Sequence, residues 1–451
     1  MRANIDMADL LKVEHLRCGL KQKTGWFYPI DDISFSLEAG KTLVLLGGSG
    51  SGKSMTALSL LQLLPHHAYF GEKSSIHFED HALLQFSSVQ MQAIRGKRIG
   101  FIFQEPMTAL NPVLSIGDQL TEALALANVP RHERENAALQ WLKKVGVSEA
   151  KTRYHAYPHQ LSGGMKQRVM IAMALAAKPS LLIADEPTTA LDVTVQAQII
   201  VLLKQLQQEL GMAILWITHD LAVASLVADD IAVMHDGLLL EKASVKQFFS
   251  APQHVHSQRL LASNIALQEK KQYPKTTQTP IEVLSVKHLH VRFSAGREGL
   301  FAKKQWVYAV NDVDLTLYQG QTLALVGESG CGKTSLAKAL MGLATDVSGQ
   351  LSYDGQAQTW TSQQTLSYRA FIQMVFQDPY GCFNPKHTVS DILLEGLTIH
   401  AHDHDDPLKV IKEMLVNIGL SADSLTRYPH EFSGGQRQRL AIARKTKDFN
   451  L

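Results

Sequence analysis

Short apolar segments separated by polar residues run along the chain, and the spacing of the apolar positions changes from one segment to the next. Residues 42–46 (TLVLL) form a continuous apolar run that ends on glycines, and residues 53–64 then carry apolar side chains at helical spacing. Two further apolar runs, residues 181–184 and 213–218, end on an acidic pair and on a His-Asp pair. Strand and helix patterns that alternate, with polar residues at the strand ends, predict an α/β fold with a mostly parallel sheet.

The chain repeats its own sequence. Residues 28–53 and 308–333 are identical at 12 of 26 positions without a gap, at an offset of 333 − 53 = 280. Two more pairs of segments follow in the same order: FQEPMTALNP with FQDPYGCFNP, and YPHQLSGGMKQR with YPHEFSGGQRQR. A solenoid is excluded because its repeats have periods of about 20–50 residues. The sequence therefore predicts two copies of one domain.

A polar segment joins the two copies, which differ in length. Residues 263–280 contain lysines and prolines without a regular period, a composition typical of a linker. We expect a first domain at residues 8–262 and a second at residues 281–451. Because the second copy is the shorter of the two, we expect it to be incomplete.

Composition and charge narrow the possible functions. Hydrophobic residues make up 45% of the 451 residues and charged residues 19%, which is ordinary for folded domains. The net charge of 44 − 42 = +2 provides no bulk positive field for nucleic acid. Three scattered cysteines, Cys18, Cys331 and Cys382, favour neither a disulfide framework nor a zinc ribbon. No apolar run reaches the roughly 18–20 residues of a transmembrane helix.

Two segments match the phosphate-binding pattern GxxxxGK[ST] (the P-loop), each between a strand pattern and a helix pattern. The glycines let backbone N–H groups converge on phosphate oxygens, and the helix N-terminus adds positive potential. The lysine reaches the β- and γ-phosphates of a nucleotide such as ATP, and the next hydroxyl binds Mg²⁺. A glycine-rich turn with a chance lysine is the alternative, which two occurrences in full context disfavour. The motifs consist of Gly47, Gly48, Ser49, Gly50, Ser51, Gly52, Lys53 and Ser54, and of Gly327, Glu328, Ser329, Gly330, Cys331, Gly332, Lys333 and Thr334.

An acidic pair follows the apolar run at residues 181–184. A buried strand that ends there would deliver Asp185 to the metal, directly or through water, and Glu186 would polarise the attacking water. The alternative is a pair of solvated acids at a strand end, which the preceding P-loop disfavours.

A third motif points to a family. Ser162 of the segment LSGGMKQ lies 185 − 162 = 23 residues before Asp185. Together with Gln104, Asp192 and His219, this segment makes the first copy resemble the ATP-binding cassette (ABC) ATPases. The resemblance covers nearly all of the chain apart from the linker. It implies tandem P-loop NTPase domains, each with a mostly parallel core sheet, an antiparallel β subdomain and a helical subdomain, the second domain being incomplete.

The resemblance also implies roles for single residues. Gln104 and Gln377 would contact the metal, His219 the γ-phosphate, and Asp192 would belong to the D-loop. The signature residues would contact ATP bound to the opposite domain, in a head-to-tail pairing of the two domains. They are Ser162, Gly163 and Gly164 in the first domain and Ser433, Gly434 and Gly435 in the second. Ser162 could instead cap the helix that follows, and both roles can hold at once.

Tyr28 and Tyr308 each lie 25 residues before the lysine of their P-loop. That position resembles the family's aromatic residue that stacks on adenine, and base–aromatic stacking is worth about 1–3 kcal/mol in nucleic-acid complexes. The alternative is an ordinary strand tyrosine.

The layout of the chain resembles one group of importers. The tandem copies and the tail PQHVHSQRLL at residues 252–261 resemble the ATPases of oligopeptide, dipeptide and nickel importers, in particular the fused ATPase of peptide importers that also admit microcin C. Val255 and His256 replace the usual Pro and Tyr of that tail. The resemblance implies ATP-driven import of peptides or related solutes at the cytoplasmic face of the inner membrane. It also implies two transmembrane permeases, an extracytoplasmic binding protein and no nucleic acid.

The second copy lacks several motifs of the first. The signature offset of 433 − 162 = 271 would number a second metal-binding aspartate 456, whereas the last residue is Leu451. We expect one complete site, one site without a general base, and a second domain that is unstable by itself. Two other functions stay open: a truncated, non-catalytic ATP-binding remnant, and a soluble ABC ATPase of translation or DNA repair. The latter would need a longer charged linker or zinc cysteines.

Overall fold

The computed structural model divides the chain into two compact units, Met1–Pro274 and Lys275–Leu451, and the division falls within the predicted linker. Among the described residues, no helix combines the length and hydropathy that crossing a membrane requires. The structure describes residues 9–22, 25–65, 68–104, 109–189, 191–268, 281–294, 306–328, 330–360, 368, 371–376, 381–399 and 406–444.

The first unit contains two sheets and a set of helices. Its strands are β1 (Asp9–Gln22), β2 (Gly25–Glu38), β3 (Thr42–Leu46), β4 (Ala68–Phe70), β5 (Ser75–Phe78), β6 (His81–Ala82), β7 (Ile99–Ile102), β8 (Leu181–Asp185), β9 (Ala213–Thr218), β10 (Asp230–His235) and β11 (Leu238–Ser244). Its α-helices are α1 (Lys53–Leu60), α2 (Ser88–Ile94), α3 (Ile116–Leu126), α4 (Arg134–Lys144), α5 (Ala150–Tyr154), α6 (Gly163–Leu175), α7 (Val193–Leu210), α8 (Leu221–Val227), α9 (Val245–Ser250) and α10 (Val255–Gln268). Helix α10 therefore extends into the segment predicted as a linker.

The core sheet of the first unit has the strand order β11-β10-β3-β9-β8-β7, and the strands from β10 to β7 run parallel. Every residue of β3, β8 and β9 is buried. Val44 and Leu46 of β3 pack in one hydrophobic core, and Leu43 and Leu45 pack in another, so both faces of the sheet are covered. This confirms the predicted parallel α/β sheet and brings the C-terminal ends of β3, β8 and β9 to one edge.

Two smaller parts flank this core. Strands β1, β2, β4, β5 and β6 form an antiparallel sheet, in which β1 and β2 pair with several shifts of register. Helices α3, α4 and α5 pack against one another and, through α3 and α4, against α6, with Leu120 and Trp141 in the shared core. Ser115 and Asp118 cap the start of α3 with reciprocal hydrogen bonds. These parts match the antiparallel and helical subdomains that the resemblance implies.

The described part of the second unit contains an antiparallel sheet and helices. The strands are β12 (Glu282–Ser294), β13 (Trp306–Tyr318), β14 (Val347–Tyr353) and β15 (Gln356–Gln358), in the order β13-β12-β14-β15. The α-helices are α11 (Lys333–Leu340), α12 (Val389–Ile399), α13 (Pro407–Asn417) and α14 (Gly434–Ala443). One hydrophobic core lies between the sheet and α11, and another lies among α12, α13 and α14.

Residues 322–326 of the second unit differ from their counterparts in β3. They form no strand, and Val326 is 93% exposed, whereas the corresponding Leu46 is 2% exposed. In the first unit, β3 is hydrogen-bonded to β9 on one side and to β10 on the other. No described strand of the second unit pairs with residues 322–326 in this way. Within the described residues, the parallel core sheet expected in both domains is formed in the first unit, where β3 has a paired strand on each side, and is not formed in the second.

Candidate functional site

A cavity of about 300 Å³ lies at the C-terminal edge of the core sheet in the first unit. The P-loop forms its floor, between the end of β3 and the start of α1. Gln104 and Glu186, which the sequence predicted as site residues, also line it. The remaining lining residues are Leu20, Phe27, Pro29, Ser49, Gly50, Ser51, Gly52, Lys53, Ser54 and Met55.

Two glycines of the P-loop are required by close contacts. A Cβ atom on Gly47 would lie 2.3 Å from the carbonyl oxygen of Met234 in β10. Gly52 has a φ of +100°, and a Cβ there would lie 2.2 Å from the carbonyl oxygen of Pro29. The neighbouring Gly48 would meet nothing within 4 Å. The loop is therefore wedged between β2 and β10, and its shape depends on Gly47 and Gly52.

Lys53 is buried under its own loop. Its Nζ donates hydrogen bonds to the carbonyl oxygens of Gly47 (2.9 Å) and Gly48 (2.7 Å) and to Ser51 Oγ (3.2 Å). Burial lowers the pKa of Lys53, while the nearby carboxylates of Glu186 and Asp185 act in the opposite direction. The ammonium group is thus held at the concave side of the loop, where the backbone of a P-loop receives phosphates.

Asp185 and Ser54 meet beside the P-loop and fit a magnesium ion. Asp185 is the last residue of β8 and is 5% exposed, and its Oδ1 is buried with no hydrogen-bond partner in the described structure. Burial raises the pKa of Asp185, although a hydrogen bond from the Ser54 hydroxyl opposes that rise. An unpaired carboxylate oxygen next to a hydroxyl supplies the hard oxygen ligands that Mg²⁺ prefers.

Three side chains contact the carboxylate of Glu186, two of them as hydrogen-bond donors and the third through a histidine ring nitrogen. Gln104 Nε2 and Thr189 Oγ1 both donate to Oε2, at 3.0 and 2.8 Å, and His219 Nδ1 lies 3.0 Å from Oε1. Burial alone would raise the pKa of Glu186, but the hydrogen bonds from His219 and Thr189 lower it to a net value below the usual one. The same contact with Glu186 raises the pKa of His219. The structure thus brings together three predicted residues and adds Thr189, which the motifs did not indicate.

Tyr28 does not line this cavity. Its ring packs under the guanidinium of Arg17, with 4.1 Å between Cζ and the ring centroid, and faces a separate groove beside Asp31. Phe27, the preceding residue of β2, lines the P-loop cavity instead. Successive side chains of a strand point to opposite faces, so only one of the two can face the nucleotide. Phe27, rather than Tyr28, therefore lines the cavity where the sequence predicted a ring that stacks on adenine, and the stacking itself stays a prediction.

The signature and D-loop residues of the first unit begin helices. Ser162 accepts a hydrogen bond from the backbone N–H of Met165 and caps α6, so its predicted capping role is confirmed. Gly163 and Gly164 form the first residues of that helix and are not among the residues lining the cavity. Asp192 caps α7 by accepting from Val195 N at 2.9 Å, while Ala190 lies outside the described residues.

The second unit repeats several of these local features. Lys333 Nζ donates to the carbonyl oxygens of Gly327 (2.6 Å) and Glu328 (2.7 Å), as Lys53 does in the first unit, and lies 3.5 Å from Cys331 Sγ. Gly330 and Gly332 have positive φ, and Thr334 follows Lys333 in α11.

The second unit also has its own signature residues and its own predicted stacking tyrosine. Ser433 caps α14, which begins with Gly434 and Gly435. Tyr308 is 55% exposed, with its nearest described ring, that of His290, at 6.5 Å. Ser329 and Gln377 lie outside the described residues.

Comparisons with known proteins relate the chain to one family. The model of the family described as ABC transporter matches residues 30–189 and 310–446. The glutathione import ATP-binding protein GsiA of Escherichia coli O6:H1 is 41% identical over 471 aligned positions, which cover 98% of this chain and 75% of that protein. GsiA of Shigella dysenteriae serotype 1 is likewise 41% identical, with the same coverage. Among solved structures, cbiO1 from Clostridium perfringens, part of the ABC transporter complex cbiONQ, is 27% identical and covers 58% of this chain and 98% of its own, with a TM-score of 0.47. The family match and the identity to these relatives show that the chain belongs to the ABC transporter family of ATP-binding proteins.

Proposed function

We propose that this chain is the ATP-hydrolysing subunit of an importer for peptides or related small solutes. The observation that carries the proposal is the cavity of the first unit, where Lys53, Asp185 and Glu186 converge on one P-loop. The relatives named as glutathione import proteins support the transport role. Glutathione is itself a small peptide, so its chemistry fits the class of solute that the sequence predicts.

The binding step uses the loop and the aromatic residue beside it. Backbone N–H groups of residues 48–54 and the start of α1 receive the phosphates of ATP, and the ammonium of Lys53 exchanges its carbonyl partners for phosphate oxygens. Phe27 and Leu20 provide the apolar wall on which the adenine ring stacks. Ser54, Asp185 and Gln104 would hold Mg²⁺, which offsets the negative charge that develops on the β- and γ-phosphates.

The hydrolysis step uses Glu186 and His219. A water molecule attacks the γ-phosphorus, Glu186 accepts a proton from that water, and the bond between the γ-phosphorus and the oxygen bridging to the β-phosphate breaks. ADP and inorganic phosphate are the products. His219, whose pKa is raised by Glu186, can present a protonated ring nitrogen to an oxygen of the γ-phosphate.

The partners follow from the same proposal. The chain would act at the cytoplasmic face of the inner membrane with two transmembrane permeases, and an extracytoplasmic binding protein would supply the solute. Its two ATPase domains would pair head to tail, so that Ser433, Gly434 and Gly435 complete the site of the first unit. The names of the relatives as import proteins support the transport part of this proposal.

Phosphate release and solute uptake test the proposal together. The purified full chain should release phosphate from ATP with Mg²⁺, and Lys53→Ala should lower the rate by about 10²–10³-fold. Lys97→Ala, which removes an exposed lysine outside the cavity, is the matched control. Cells that express the chain should take up labelled glutathione or labelled dipeptides faster than cells that express Lys53→Ala. If the wild-type chain releases no more phosphate than Lys53→Ala, the hydrolytic role is wrong and the ATP-binding remnant is the better account.

A further inference from the structure

Thr189 donates a hydrogen bond to Glu186 and has no other role in the proposed reaction. Gln104 Nε2 donates to Glu186 Oε2, but its amide is also assigned to the metal. His219 lies against Oε1, but its ring is also assigned to the γ-phosphate. When substrate is bound, both side chains have a second partner to satisfy. The hydroxyl of Thr189, 2.8 Å from Oε2, has no such competing task.

Thr189 belongs to the same turn as Glu186, and that turn is tied to its surroundings. Thr189 N donates to the carbonyl oxygen of Glu186 at 3.1 Å, and Glu186 N donates to that of Ile217 in β9 at 3.0 Å. Gln167 Nε2 of α6 donates to the carbonyl oxygen of Pro187. Glu186 has a φ of +46°, a conformation that a non-glycine residue keeps only when its surroundings enforce it. The Thr189 hydroxyl is therefore presented from a fixed piece of backbone.

The contacts also distinguish the two oxygens of the carboxylate. Oε2 receives the hydroxyl of Thr189, whereas the described contact of Oε1 is His219. When His219 turns toward the γ-phosphate, Oε1 becomes the oxygen that can accept the proton of the attacking water. We propose that Thr189 is a positioning residue that fixes Glu186 through Oε2 and leaves Oε1 to act as the base. This inference rests on the proposed function.

Three variants test the proposal through the turnover of ATP by the full chain. Thr189→Val, nearly the same shape without the hydroxyl, should lower kcat about 10–100-fold and leave KM for ATP within about twofold, because misplacing a reacting group by about 1 Å can cost that much. Thr189→Ser, which keeps the hydroxyl, should stay within about threefold of the wild-type kcat. In the double variant Glu186→Gln/Thr189→Val, the second change should cost almost nothing, because Thr189 acts only through Glu186.

Thr121→Val is the matched control, since it also removes a threonine hydroxyl, here an exposed one that donates to Asp118 O in α3. If Thr189→Val does not fold, Thr189→Ala removes the hydroxyl in a smaller side chain. A wild-type kcat in the folded variant overturns the proposal, and so does an equal loss in Thr189→Ser or an additive loss in the double variant. A wild-type chain that releases no more phosphate than Lys53→Ala instead overturns the proposed function itself, which separates the two failures.

Discussion

Phe27 and Tyr28 are neighbours in β2, yet their rings lie on different surfaces of the first unit. Phe27 lines the P-loop cavity, whereas Tyr28 packs under Arg17 beside a groove of about 630 Å³ on the antiparallel sheet. We therefore expect the proposed nucleotide site to depend on Phe27, although only Tyr28 is matched by a tyrosine at the same place in the second copy.

Replacing the ring of Phe27 should weaken the binding of ATP, whereas replacing the ring of Tyr28 should leave it unchanged. Phe27→Ala should weaken binding of a non-hydrolysable ATP analogue by about 1–3 kcal/mol, or about 5–150-fold, because the stacking surface is lost. Phe27→Tyr should retain most of the affinity. Tyr28→Ala, the matched control, should stay within about twofold of wild type. Calorimetric titration of the full chain would measure all three, and a large loss confined to Tyr28→Ala would restore the prediction from sequence.

Gly47 and Gly48 are adjacent, but replacing each with alanine should lower the free energy of unfolding by different amounts. Gly47→Ala places a Cβ 2.3 Å from Met234 O and 2.7 Å from Ser51 Oγ, so the loop or β10 must move. We expect it to lower the free energy of unfolding of the first unit by about 1–3 kcal/mol, as overpacking does. Gly48→Ala enters open space and should cost less than about 0.5 kcal/mol. Urea unfolding of both variants tests the difference, and equal costs would show that the contacts at Gly47 do not matter.

Leu46 and Val326 are counterparts in the two copies and should differ in their contribution to stability. Leu46 lies in the central strand β3 and its side chain is buried in a hydrophobic core, so Leu46→Ala should cost about 2–5 kcal/mol. Val326→Ala should cost less than about 0.5 kcal/mol because that side chain is exposed. Hydrogen exchange, followed peptide by peptide at increasing urea concentrations, reports the stability of each unit separately and so resolves the two effects. Slow exchange at residues 322–326, or a large cost at Val326, would mean that this segment is paired in solution.

The features that follow from local sequence were predicted well. The apolar runs of β3, β8 and β9 and the strand–P-loop–helix unit all depend on a few consecutive residues. The face of Phe27 could not be predicted from its distance to Lys53, because shifts of register between β1 and β2 change which residues face the cavity. The contact between Thr189 and Glu186 depends on turn geometry, and the pairing of β3 depends on β9 and β10, which are distant in sequence.

The ring of His256 should make the stability of the first unit depend on pH. It stacks on His235 with 4.1 Å between the centroids and 25° between the planes. Burial, followed by the nearby His235, His254 and Arg259, lowers the pKa of His256, and Asp236 opposes this. Because the folded state then binds a proton less readily than the unfolded state, stability is greatest above the ordinary histidine pKa of about 6.5 and falls as the pH drops below it.

His256→Tyr tests this dependence, since it keeps an aromatic ring at the site and removes the titrating group. The fall in Tm from pH 7.5 to pH 5.5, values on either side of the ordinary histidine pKa of about 6.5, should be smaller in this variant than in the wild type. His132→Tyr, which changes a histidine whose side chain is 81% exposed, is the control and should leave the fall unchanged. An unchanged fall in His256→Tyr would show that the stacked pair does not sense pH.

The central claim, that Glu186 of the first unit is the base for ATP hydrolysis, is tested most directly by Glu186→Gln in the full chain. The carboxamide keeps the shape of the side chain but cannot accept the proton of water. We predict that phosphate release in a single turnover slows by about 10²–10⁴-fold while the affinity for ATP stays close to that of the wild type. Release at the wild-type rate, with ATP bound normally, would contradict the account.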